Sequence, residues 1–158
     1  MKKVLIAFSC LFVFSCQFDK KTNSLNPISS DDIAAAKSLI QGSFDDLWAG
    51  LDSTKINTYH TDDFIIFEQG QVWDNAMIKD YMRGQLKQIN RPIRTNKMEF
   101  FLIEKYGSSI QLAYHNYATF SKNDSIVGNA RWLESALAVK TNDGWRLKMM
   151  HSTRAKMN

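Results

Sequence analysis

The stretch YHTDDFIIFEQG, residues 59 to 70, places Asp62 and Asp63 directly before the apolar run Phe64-Ile65-Ile66-Phe67, with Glu68 closing it. Strand side chains alternate between faces, so Phe64, Ile66 and Glu68 share one side and Ile65 and Phe67 the other. Gln69-Gly70 then reads as a tight turn into a second short strand, Gln71 to Trp73. Two roles stay open for Glu68: a carboxylate on the wall of an apolar pocket, or an exposed residue beside a hairpin turn. Asp62 and Asp63 read as the polar link between a preceding helix and the strand.

Upstream of this hairpin the chain is helical. Ser29-Ser30-Asp31-Asp32 has a serine cap and acidic residues where the positive end of a helix dipole favours them. Ile33, Ala36, Ile40, Phe44, Leu47 and Leu51 recur at helical spacing, and Leu39 and Trp48 widen the stripe. Ser53 to His60 reads as a shorter second helix. After the hairpin, Asp74 caps a third, with Met77, Ile78, Tyr81, Met82, Leu86 and Ile89 on its expected buried side and Pro92 beyond its end.

The remainder reads as long strands: Arg94 to Glu104, Ser109 to Phe120, one within Ser125 to Lys140, and Trp145 to Arg154. Tyr106-Gly107, Lys122-Asn123-Asp124 and Asn142-Asp143-Gly144 separate them with turn chemistry. Gly128 marks a bulge that bends its strand. The plan is α+β, three N-terminal helices packed on a curved, mainly antiparallel sheet.

That order resembles the nuclear transport factor 2-like cone, shared with ketosteroid isomerase, SnoaL-like polyketide cyclases and the association domain of calmodulin-dependent kinase. Tyr59-His60-Thr61-Asp62-Asp63-Phe64 and the closing hairpin Asp143-Gly144-Trp145-Arg146-Leu147 to His151-Ser152 carry the resemblance, which covers about residues 31 to 154. The superfamily holds enzymes, binding modules and assembly domains, so the fold alone selects no function. The resemblance implies that Glu68 occupies the general-base position of ketosteroid isomerase. The isomerase's oxyanion-donating tyrosine falls at Phe44 and its protonated aspartate near Ala136, so the enolate donors are missing and steroid isomerisation is not expected.

Alternation on the last strand groups Trp145, Leu147, Met149 and His151, with Arg146 and Lys148 facing water. His151 is then expected inside the cone, either as an acid/base partner of Glu68 or as a core histidine held by a backbone carbonyl or Glu134. On the preceding strand Trp132, Glu134, Ala136 and Ala138 form one set. Trp73, Trp132, Glu134 and Met149 are the candidate ligand-binding residues, while Trp48 and Trp145 read as core. His60, His115 and His151 have no metal-ligand spacing, and neither a metal nor a cofactor is implied.

The N-terminus carries its own message. Lys2-Lys3 precede an apolar run from Val4 to Phe14, eleven residues where a spanning helix needs roughly 20. Val13-Phe14-Ser15-Cys16 resembles a bacterial lipobox, which implies cleavage before Cys16 and lipidation there. Expected boundaries are a signal peptide over 1–15, the lipidated cysteine and a polar tether over 16–30, and the domain over 31–158. Gln17 after the cysteine implies the outer membrane of a bacterial envelope. Both cysteines, Cys10 and Cys16, precede the domain, which therefore holds no disulfide or thiolate site.

From residue 31 onward 16 Lys/Arg face 15 Asp/Glu, so the whole-chain charge of +4 reflects the leader. Nucleic acid is not an expected partner, since no basic stripe survives in the domain. Three functions remain: a lipid-anchored module binding a small, partly apolar molecule; a cyclase, isomerase or dehydratase using Glu68 and His151; or a structural homodimer with a filled cone. The first is preferred because the oxyanion donors are absent. A homodimer is expected through the outer sheet face, from the set Phe101, Tyr117, Leu133 and Val139.

Overall fold

The computed structural model describes residues 28 to 157; the expected signal peptide, Cys16 and most of the tether lie outside them. Helix α1 spans Ser30–Ser43. Ser29 Oγ accepts from the Asp32 amide at 3.1 Å, the expected cap. Ala36, Leu39 and Ile40 are buried, and the axis continues as a wider π-helical segment, Phe44–Ala49. The Gly50 amide closes that segment on Asp45 O at 2.8 Å. A Cβ at Gly50 would stand 2.8 Å from Asp46 O, so the wide turn needs glycine at this close approach.

A short 3₁₀ turn, Ser53–Lys55, leads into α2, Ile56–Tyr59, and the chain then enters the sheet. The six strands are β1 His60–Glu68, β2 Gln71–Asp74, β3 Ile93–Tyr106, β4 Ser109–Lys122, β5 Ser125–Thr141 and β6 Gly144–Ala155. Their order is β2-β1-β6-β5-β4-β3, with β1 and β6 parallel and every other pair antiparallel. Gln69 and Gly70 both adopt positive φ in the β1–β2 turn, as Asn123 and Asp124 do between β4 and β5. That geometry matches the twist of the flanking strands.

Helix α3, Asn75–Leu86, is capped by Asp74, whose side chain accepts from the Met77 amide at 2.8 Å. It packs on β1 and β2 through a narrower stripe than the sequence suggests. Ile78 and Met82 are buried, whereas Met77, Leu86 and Ile89 are 42%, 61% and 90% exposed. Leu86 is the last helical residue and Ile89 lies beyond the end.

Asp62 and Asp63 sit inside β1, not before it. Between His60 and Ile65 the pairing with β6 is irregular, and Asp63 forms an ion pair with Lys148 across this stretch. Lys148 is itself an extra residue: Leu137 pairs with Met149 while Ala138 pairs with Leu147. Similar bulges place Val127 beside Gly128 in β5 and Phe101 in β3. Each bends its strand and helps the sheet curve around the helices. The core fills that concavity as one buried cluster that includes Phe44, Leu47, Phe64, Leu112, Tyr114 and Leu147.

Candidate functional site

At one end of the cone the core gives way to a cavity of about 290 Å³. Strand alternation supplies most of its wall. Strand β1 contributes Ile66 and Glu68, β3 Arg94, β5 Trp132 and Glu134, and β6 Ser152 and Arg154. Phe44 and Trp48 come from the π-helical turn, Trp73 from β2 and Tyr81 from α3.

One side of the cavity is aromatic. Trp48 and Trp73 flank Tyr81 with ring centroids 5.9 and 5.5 Å away, all tilted. Trp73 Nε1 donates to Gln71 Oε1 at 3.1 Å, which fixes its indole. Such rings offer broad apolar area with little conformational freedom to lose on binding.

The other side is polar and ordered by a chain of hydrogen bonds. Arg94 Nε donates to Asn96 Oδ1 at 3.0 Å, Asn96 Nδ2 to Asn116 Oδ1 at 2.6 Å, and Asn116 Nδ2 to Glu134 Oε2 at 3.2 Å. Ser152 Oγ donates to the second carboxylate oxygen at 2.9 Å. The fully buried Tyr114 hydroxyl makes no hydrogen bond of standard geometry to the described residues, although its oxygen lies within the influence of Glu134. Glu134 is only 4% exposed. Burial pushes its carboxyl up to about 7, against the lowering pull of Ser152, Asn116 and the Arg94 charge.

Glu68, Trp73, Trp132 and Glu134 all line the cavity. His151 and Met149 do not. The expectation that both share the inner face with Trp145 and Leu147 fails because Lys148 is a bulge residue, and one extra residue reverses every later side chain. Met150 and Ser152 turn inward instead, both buried. His151 is exposed on the outer face, edge-on to Phe67 at 6.0 Å and 83°. Met149 pairs in register with Ile65 and Leu137 on that same outer side. Glu68 and His151 thus face opposite sides of the sheet and do not meet.

Alternation does not nominate Ser152 once the bulge is overlooked, and it does not nominate Arg154. Arg94 had a readable signal. It alternates with Asn96, Met98 and Phe100 along one face of β3, but a charged residue at a strand's start reads as its solvated end.

No family model matches the sequence, and no curated protein matches it either. Solved structures do. The CaMKII hub homology domain of Chlamydomonas reinhardtii is 19% identical, with a TM-score of 0.68 over 78% of this chain and 98% of that one. Aln2 from a Streptomyces species is 9% identical with a TM-score of 0.69, covering 80% and 93%. A protein from Nostoc punctiforme described by its cystatin-like fold is 11% identical with a TM-score of 0.65, covering 81% and 94%. At these identities the likeness is one of fold. The described chain is an α+β cone of the nuclear transport factor 2-like type, three helices on an open, mostly antiparallel six-stranded sheet.

Proposed function

We propose that this chain is a lipid-anchored envelope protein whose cone binds a small, partly apolar molecule. The observation that carries the reading is the cavity itself, an aromatic wall facing a fixed polar cluster within about 290 Å³. Apolar area with a few convergent polar groups is the usual composition of a small-molecule site. Titration with neutral 2-naphthamide tests it through the emission of Trp48, Trp73 and Trp132. Saturable quenching, weakened by Trp73→Ala, is expected; a linear, non-saturating response would refute binding in the cone.

The anchor rests on Val13-Phe14-Ser15-Cys16, and Gln17 directs it to the outer membrane. Palmitate labelling of wild type and Cys16→Ala separates lipidation from an ordinary cleaved leader. Label is expected in the wild type alone, and equal labelling of both proteins rejects the anchor. Likeness to a hub domain, together with exposed Phe101 and Leu133 on the outer sheet face, supports a homo-oligomer.

The enzymatic alternative, a SnoaL-like cyclase, isomerase or dehydratase, relies on Glu68 and His151 as an acid/base pair. Their opposite orientations leave Glu68 without that partner. Glu134, which titrates near neutrality inside the cavity, is the group that favours this second reading.

A further inference from the structure

Arg94 is a charge held partly out of water. Strand alternation carries it inward, where its guanidinium carbon lies 5.0 Å from the Trp132 ring centroid, 5.8 Å from that of Phe44 and 5.9 Å from that of Phe120. Its Nε is used on Asn96. Its two terminal nitrogens make no hydrogen bond to the described residues. Among those residues the ion pairs within 4.0 Å are Arg83–Asp80, Lys97–Glu99, Lys105–Asp32 and Lys148–Asp63. Burial disfavours the Arg94 charge, and the acids that oppose this effect, Glu134 and Glu68, act from beyond ion-pair range.

A second guanidinium crowds the same place. Arg154 lies 4.5 Å from the centroid of the Trp132 ring that also carries Arg94, and the two like charges disfavour one another. Cation–π contact offsets only part of the cost of gathering and desolvating them. A planar fork with unused donors, part-buried among aromatic rings, is preorganised for a carboxylate, whose two oxygens match its spacing.

We propose that the cavity is a carboxylate site, taking a small monocarboxylic acid with a planar apolar body. The acid group binds the free edge of Arg94 with Arg154 closing from the rim, and the body stacks among Trp48, Trp73 and Tyr81. This inference rests on the reading of the cone as a ligand site and adds the class of ligand. Charge balance favours a monoanion over a dianion such as phosphate. Arg94 and Arg154 share the lining with the Glu68 carboxylate, while Glu134 holds its proton at pH 6, so one net positive charge is left for a monoanion.

The test uses three probes with one body: 2-naphthoate, neutral 2-naphthamide and cationic 2-naphthylmethylammonium, titrated at pH 6 into the full chain. Naphthoate is expected to bind roughly tenfold tighter than the amide, the scale of a charge-assisted hydrogen-bond pair. Arg94→Gln should abolish that preference, leaving naphthoate and amide equal. Arg154→Gln alters an exposed side chain and should reduce the preference in part, so it decides the matter if Arg94→Gln fails to fold. Equal affinity for all three probes, or tightest binding of the amine, overturns the carboxylate assignment and leaves the cone a neutral apolar site. A preference for naphthoate that survives both substitutions also overturns it. Binding of none of the three overturns the ligand reading itself.

Discussion

Ser152 Oγ donates to Glu134 Oε1 at 2.9 Å, and this contact joins β6 to β5 at the polar wall of the cavity. The bond favours the ionised carboxylate, so its removal makes ionisation harder. In Ser152→Ala the Glu134 midpoint, followed by carboxyl infrared absorption against pH, should move above its present value of about 7. Stability should fall by about 1 kcal/mol, the usual net worth of such a bond. A midpoint that stays or drops would mean that the hydroxyl does not serve the carboxylate.

Two glycines should respond in opposite directions to the same substitution. At Gly50 an added Cβ meets backbone oxygens of Asp46 and Asp45 at 2.8 and 3.1 Å, and backbone cannot swing aside as a side chain can. Gly50→Ala should destabilise by about 1–3 kcal/mol, the cost of overpacking. Gly84 lies exposed inside α3 with nothing within 4 Å of an added Cβ. Gly84→Ala should stabilise by about 0.5–1 kcal/mol through helix propensity. Denaturant midpoints of the two variants decide this, and a loss in both would argue that α3 ends before Gly84.

The contrast between β5 and β6 explains which parts of the site can be read from residues alone. Past its bulge at Val127, β5 alternates without interruption, so Trp132 and Glu134 follow directly from periodicity. In β6 the Lys148 bulge has no sequence signature, because a lysine before two methionines fits a regular strand equally well. Its position is set by tertiary pairing with Leu137, Ala138 and the irregular stretch of β1 opposite. The turns at Gln69-Gly70 and Asn123-Asp124 and the caps Ser29 and Asp74 are local chemistry, and local chemistry is legible. Arg94 needs knowledge of the whole cone. Only the aromatic rings of Phe44, Phe120 and Trp132, distant in sequence, make a partly buried place for it.

The outer sheet face offers a separate experiment. Phe101 and Leu133 are 59% and 45% exposed, with Tyr117 half-buried nearby and His115 between Phe101 and Tyr117, while Val139 lies further along β5. An apolar group of this kind is a hazard in an isolated monomer. The protein without its first 25 or so residues should sediment as a dimer, and Leu133→Asp should shift it to the monomer. A clean monomer for the unsubstituted protein at high concentration would count against this interface.

Two buried groups should cancel each other in the pH dependence of stability. His60, 2% exposed, stacks on Phe64 at 3.7 Å, and its Nδ1 meets Asn75 Oδ1 at 2.9 Å. Asn75 Nδ2 donates to the carbonyls of Thr61 and Asp62, so the amide oxygen faces the ring and Nδ1 carries the proton. Burial pushes the imidazole down from 6.5 to about 4, while Glu134 is pushed up from 4.5 to about 7. Between pH 4.5 and 6.5 the unfolded chain protonates the histidine and ionises the glutamate, whereas the folded chain does the reverse. Both states then hold one proton on this pair, and the pair contributes no slope. Asp32, Asp52 and Asp63 are lowered from 3.8 by their partners and add their own acid sensitivity around and below pH 4. Glu134→Gln leaves only the histidine imbalance, so its stability should rise by up to about 1.4 kcal/mol per pH unit across the window. His60→Gln leaves only the glutamate imbalance, and its stability should fall with pH by a similar amount. Chemical denaturation at about pH 4.5, 5.5 and 6.5 measures all three slopes. A wild type as steep as either variant would show that these two groups do not balance.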